Sequence, residues 1–169
     1  SEPYNVVVSP LGNIALVNNS GPTGGNDGHV DPVCVIDLTT PHPHIIDWIG
    51  VGDGPEGLAF SPLGNLAVSA LINGSQTAAS NPKTAWAANK NGKVAILKIN
   101  GTNVTKTQEI EVGGGMPEGM VFSPDGKYLY VGNFCNNTVT ILEIDGTNVI
   151  DTGKMFHLPG APGAMRGQK

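Results

Sequence analysis

Three pairs of prolines, each seven residues apart, constrain the fold of this chain more than any other feature: Pro3 and Pro10, Pro55 and Pro62, Pro117 and Pro124. Between the members of each pair lies a short apolar run that ends on serine: Val6-Val7-Val8-Ser9, Leu58-Ala59-Phe60-Ser61 and Met120-Val121-Phe122-Ser123. After the second proline come Leu11-Gly12, Leu63-Gly64 or Asp125-Gly126, and then another apolar run. Text repeated in this way marks like structural units, each with an apolar face that only a neighbouring unit can cover.

The clearest unit, residues 116–146, predicts three strands at 119–123, 128–133 and 138–144, rich in β-branched and aromatic residues. Ser123-Pro124-Asp125-Gly126 supplies the first turn, because proline pre-sets φ, aspartate bonds the backbone ahead of it and glycine takes the left-handed conformation. Cys135-Asn136-Asn137 and Asp145-Gly146 close the next two. From Pro117 to Pro162 is 45 residues, the length of a four-stranded propeller blade. The earlier intervals, 52 and 62 residues, are the same unit with insertions at 20–32 and 72–92. Both insertions fall between the second and third strands and so emerge on one face. The first unit predicts strands at 4–10, 13–18, 33–38 and 45–51, and the second at 57–61, 65–71, 93–99 and 104–112.

The expected fold class is therefore all-β, a segment of β-propeller built from four-stranded antiparallel blades. The blades are expected at about 1–51, 52–113 and 114–160, with the start of a further one at 161–169, where Met165 matches Leu58 and Met120. The prolines, the Ser-Pro-Asp-Gly turn, Tyr-Leu-Tyr-Val-Gly-Asn at 128–133 and Thr-Val-Thr-Ile-Leu-Glu-Ile-Asp at 138–145 resemble the YVTN-repeat and lactonase-like seven-bladed β-propellers. The resemblance implies a ring that three blades do not close, so the remaining blades are expected from further chain or from other copies. It also implies lactone-hydrolysing enzymes, surface proteins and binding modules alike, because function resides in sites grafted onto such folds.

Composition narrows the partners. Hydrophobic residues make up 39% and charged residues 14%, with 24 glycines, which fits a turn-dense all-β chain. A net charge of −5 without a Lys/Arg cluster argues against nucleic acid and anionic membranes as partners. No run of about eighteen apolar residues encodes a membrane span. The opening Ser1-Glu2-Pro3-Tyr4 is expected to run straight into a strand without a signal peptide, as at a mature or clipped terminus, and an extracytoplasmic setting, periplasmic or secreted, is expected. Cys34 and Cys135 lie two blades apart and are expected to be unpaired thiols. Asn-x-Ser/Thr triplets begin at Asn18, Asn73, Asn100, Asn103 and Asn136; they would be glycan acceptors in a secreted eukaryotic protein, and also arise incidentally in an asparagine-rich chain.

The candidate chemistry lies at the blade junctions. Segments 52–56, 114–118 and 160–163 should meet at one mouth of the propeller axis, with Glu56 and Glu118 in equivalent places and Tyr4 and Gly163 at the matching positions. Adjacent carboxylates in a cleft can share a proton, bind a cation, or simply accept bonds from neighbouring loop amides. Arg166, the only arginine, is expected nearby, either to bind the acid group of a sugar lactone or to pair with Glu118. Asn18 and Asn133 are expected in matched places at the ends of second strands, and Trp86 either packs its long loop or serves as a stacking platform. His29 with Asp31, and His42 with His44, have spacings a divalent metal can use but lack a third ligand close in sequence, so no metal and no cofactor are expected.

Two functional readings follow. One is a propeller module that binds a small molecule or protein on its loop-bearing face through Asn18, Asn133 and Trp86. The alternative is a lactone hydrolase of the 6-phosphogluconolactonase type with Glu56, Glu118 and Arg166 at its chemistry, and a purely structural display role is a third.

Overall fold

Strand pairing follows the repeat. The computed structural model describes residues 2–21, 26–75 and 82–167, and in it each unit folds into a four-stranded antiparallel sheet. The first sheet is β1 (Glu2–Val8), β2 (Ile14–Ser20), β3 (Asp31–Asp37) and β4 (His44–Gly52). The second is β5 (Pro55–Phe60), β6 (Leu66–Leu71), β7 (Lys93–Asn100) and β8 (Asn103–Glu111). The third is β9 (Pro117–Phe122), β10 (Tyr128–Asn133), β11 (Thr138–Asp145) and β12 (Asn148–His157). Strands in each sheet pair in sequence order, and β5 lies beside both β1 and β9, which makes these three the inner strands.

The Ser-Pro-x-Gly turns are built alike. Gly12, Gly64 and Gly126 sit at φ of 69°, 71° and 72°, a left-handed conformation that a side chain would strain. In each turn the glycine N–H donates to the serine carbonyl, at 2.9, 3.0 and 2.9 Å. The serine N–H in turn reaches the carbonyl of Ile14, Leu66 or Tyr128 and starts the next strand.

Alternation along the strands divides each sheet into two faces. Ile14, Leu16, Val33 and Val35 of the first sheet pack against Ala67, Leu71, Ala95 and Leu97 of the second. On the other face of the second sheet, Leu66, Val68, Ala70, Val94 and Ile96 meet Met120, Phe122, Leu129, Val131 and Leu142 of the third. Because both faces of the middle sheet are covered, every residue of β6 is buried, which explains its unbroken apolar text. β10 has one face turned from this core, and there the repeat carries Tyr128 and Tyr130 instead. Phe60 and Phe122 take equivalent roles, one packed on each core. Cys34 and Cys135 are free thiols.

Glycine permits the closest approach between sheets. A methyl group on Gly57 would be driven into the carbonyl oxygen of Glu118 in the next inner strand. Residues 161–167 run alongside the third sheet in a similar way: a methyl on Gly119 would come within 2.8 Å of the Met165 nitrogen, and one on Gly132 within 2.9 Å of the Pro162 carbonyl oxygen. Polar clamps join the sheets as well. Ser20 Oγ donates to Pro55 O at 2.8 Å, Lys106 Nζ to Val51 O at 2.6 Å, and Gln108 bonds both the N–H and the C=O of Val149.

The two insertions emerge together, between β2 and β3 and between β6 and β7. Their described parts touch: Asn26 Oδ1 accepts from Gly74 N–H at 3.3 Å, and the rings of His29 and Trp86 meet edge to face with centroids 6.0 Å apart. No helix among the described residues is long and apolar enough to cross a membrane. Gly57→Ala is expected to cost about 2–3 kcal/mol, since the inner strands would have to separate. Gly160→Ala, with open space around it, should stay within about 0.5 kcal/mol. Chemical denaturation of the two variants checks this; equal stabilities would remove the close approach as a stabilising feature.

Candidate functional site at the blade junctions

Each inner strand begins with an irregularity that the sequence did not announce. The pairing of β1 with β2 skips between Pro3 and Asn5, that of β5 with β6 between Pro55 and Leu58, and that of β9 with β10 between Asn133 and Val131. The extra residues at these bulges include Tyr4, Glu56 and Glu118. A bulge re-aims side chains that regular pleating would send between sheets. Here it gathers these three around a cavity of about 410 Å³ that Met165 and Arg166 also line.

The two glutamates differ in burial. Glu56 is 8% exposed, and its Oε2 is buried with no hydrogen-bond partner. Burial first, and then the negative charge of Glu118, push its carboxyl up to about 7; the nearby Tyr4 hydroxyl pulls the other way. Glu118 is only partly buried, and its carboxyl is raised by burial. Loss of hydration and the two negative charges in turn raise the Tyr4 phenol. Of the two, Glu56 is the more deeply buried and keeps its proton to the higher pH. Arg166 is exposed at the rim and forms no ion pair with either glutamate among the described residues, so the blade-locking pair with Glu118 is not made.

Asn18 and Asn133 do not occupy matched places. Asn133 pairs across the sheet with Pro117, whereas the residue opposite Pro3 is Asn19, and Asn18 lies opposite Asn5. A one-residue offset turns a side chain to the other face. Asn18 faces the second sheet, fully buried, where its Nδ2 donates to the carbonyls of Glu56 (3.1 Å) and Gly57 (2.9 Å) and its Oδ1 accepts from Ser69 Oγ (3.0 Å). It holds the Glu56 backbone in place and offers no free edge to a ligand. Asn133 Nδ2 donates to Thr138 Oγ1 and Thr140 Oγ1 inside its own sheet. Trp86 lines a separate cavity on the loop face.

Tyr4, which the repeat places at the Glu56 position, lines the same cavity although its chemistry did not single it out in the sequence. Among the described residues, no group of three or more His, Cys, Asp or Glu is placed to hold a metal ion. His44 Nδ1 lies 3.1 Å from the His42 carbonyl, and Asp31 Oδ2 accepts from Gly54 N–H at 3.1 Å.

Because the folded-state value of Glu56 lies above that of an unfolded carboxyl, its contribution to stability is complete below about pH 4 and is lost as pH rises through 7. Glu56→Gln should therefore be more stable than the wild type at pH 8, by on the order of 2 kcal/mol, and the two should converge near pH 4. Melting curves across that range test the sign; a variant that is less stable at pH 8 would contradict it.

With this geometry established, comparison places the chain among known proteins. The family profile described as "Lactonase, 7-bladed beta-propeller" matches residues 54–160. Among solved structures, a candidate 6-phosphogluconolactonase from Bacteroides fragilis superposes with a TM-score of 0.72 at 19% identity, covering 96% of this chain and 40% of that one. Another from Bacteroides uniformis gives 0.69 at 19%, covering 95% and 43%. The periplasmic gluconolactonase of Pseudomonas aeruginosa gives 0.64 at 18%, covering 94% and 42%. At these identities the likeness shows the fold, and the chain spans about two fifths of each of these structures. No curated protein sequence matches it.

Proposed function

The chain belongs to the lactonase family of seven-bladed β-propellers, and on that premise we propose that its junction cavity hydrolyses a sugar lactone. The observation that carries this reading is the pair of glutamates of unequal burial, Glu56 and Glu118, facing one cavity with Arg166 at its rim. It favours the hydrolase over the loop-face binding module as the main activity.

In the proposed reaction the ionised Glu118 accepts a proton from water as the water oxygen bonds to the lactone carbonyl carbon. The carbonyl oxygen becomes an oxyanion facing the Arg166 guanidinium. As the intermediate collapses, the bond between that carbon and the ring oxygen breaks, and the proton on Glu56 passes to the departing ring oxygen. The product is the open hydroxy acid. Its carboxyl proton goes to solvent, and a second transfer returns the Glu118 proton to Glu56 through water.

The first sheet leaves Val6, Val8 and Trp48 61%, 57% and 53% exposed, and in the proposed assembly further blades, from additional chain or other copies, cover them. Their loops contribute the rest of the substrate pocket. The location proposed is extracytoplasmic, as named for the Pseudomonas neighbour. The repeat is of the YVTN type, related to WD40-like blades.

Glu118→Gln in the complete protein should lower aldonolactone hydrolysis by about 10²-fold or more without lowering the melting temperature. The activity of the wild type should fall on the alkaline side of about pH 7 as Glu56 loses its proton. Titration of released acid measures both; a Glu118→Gln variant that retains full activity would eliminate the proposal.

A further inference from the structure

A second cavity, of about 320 Å³, lies where the two inserted loops meet on the face of the second sheet, and its lining includes His29, Asp53, Asn73, Trp86, Asn89 and Lys93. Its size is at the small end of ligand pockets. Two observations there go beyond what packing the loops requires. Trp86 is 67% exposed although the loops pack against it, since only part of the indole rests on Gly28, Ala87 and the His29 ring. Asp53 is 92% buried, yet only half of its carboxylate is satisfied. Its Oδ1 accepts from the Asp27 N–H at 3.1 Å and the Gly28 N–H also faces the carboxyl, while Oδ2 is buried with no partner in hydrogen-bonding geometry. A buried acceptor in that state calls for a donor from outside the chain.

The charges around the cavity identify the class of donor. Lys93 is tied at 2.7 Å to Glu109, which also lines the cavity, so that pair carries no net charge, and Asp53 opposes an anion. Asparagine amides add neutral donors and acceptors. A neutral polyol with one apolar face satisfies all of these at once: its hydroxyls supply a hydrogen to Asp53 Oδ2, and its C–H face lies on the indole. We propose that this cavity binds a hexopyranose unit, with Trp86 as the platform and Asp53 as the hydroxyl acceptor, separately from the junction cavity and whatever reaction occurs there.

Saturation-transfer NMR on the complete protein with the methyl pyranosides of glucose, galactose and mannose tests the proposal. The expected result is saturable binding of at least one of them, in the millimolar range common for single sugar units. Trp86→Ala should weaken it tenfold or more and Trp86→Tyr should largely preserve it. Asp53→Asn keeps the Oδ1 bonds but replaces the unpartnered acceptor with a donor, and should also weaken binding at least tenfold. If Asp53→Asn does not fold, the exposed Trp86 variants decide alone. Absence of transfer to all three pyranosides, binding that survives Trp86→Ala, or saturable binding of tetramethylammonium in their place would overturn it.

Discussion

Neighbouring inner strands meet backbone to backbone because glycine occupies the point of contact. Gly57 lets the Glu118 carbonyl close in, and Gly119 and Gly132 do the same for residues 161–167. Everything else follows from that spacing. Sheets this close can interleave their apolar faces, so Leu16 and Leu97 in one core and Ile96 and Leu129 in the other lose all contact with water. Burial at that level is the dominant favourable term in folding. The repeated Pro-Glu-Gly therefore carries two meanings: the glycine serves packing, and the glutamate before it is carried to the junction by the same approach.

The resulting electrostatics have a cost that the fold accommodates. Two carboxyls beside one cavity, one of them almost wholly buried, cannot both ionise freely. The backbone under Glu56 is meanwhile fixed by the Asn18 amide and by Ser20, which donates to the carbonyl just before it. An acid retained in an unfavourable position by well-paired neighbours is characteristic of functional sites. The structure thus separates roles by residue: asparagine and serine fix the frame, and glutamate, tyrosine and arginine face the cavity.

Much of this was legible in the sequence. The proline spacing located the units, the Ser-Pro-x-Gly text located the turns, and alternation located the strands, because each rests on local steric rules or on a period of two. The shared face of the two insertions followed from their common place between second and third strands. The bulges did not show, because an added residue at a strand end leaves no compositional trace, and with them the turn of the Tyr4 side chain toward the cavity was hidden. Matching Asn18 to Asn133 failed for a related reason. The similar text Val-Asn-Asn and Val-Gly-Asn permits two alignments one residue apart, and only cross-strand pairing selects Asn19 as the counterpart. Counting from Pro10 and Pro124 would have given that answer. The Trp86 cavity depends on two loops distant in sequence, whose contact no local rule foretells.

The adjacency of Glu56 and Glu118 across the glycine contact is the claim on which fold and site jointly rest. Carboxyl-carbon NMR titration of Glu56, in the wild type and in Glu118→Gln, measures it most directly. The account predicts a midpoint near 7 in the wild type and a lower one once the neighbouring charge is gone. A Glu56 midpoint at the ordinary carboxyl value, indifferent to residue 118, would contradict it.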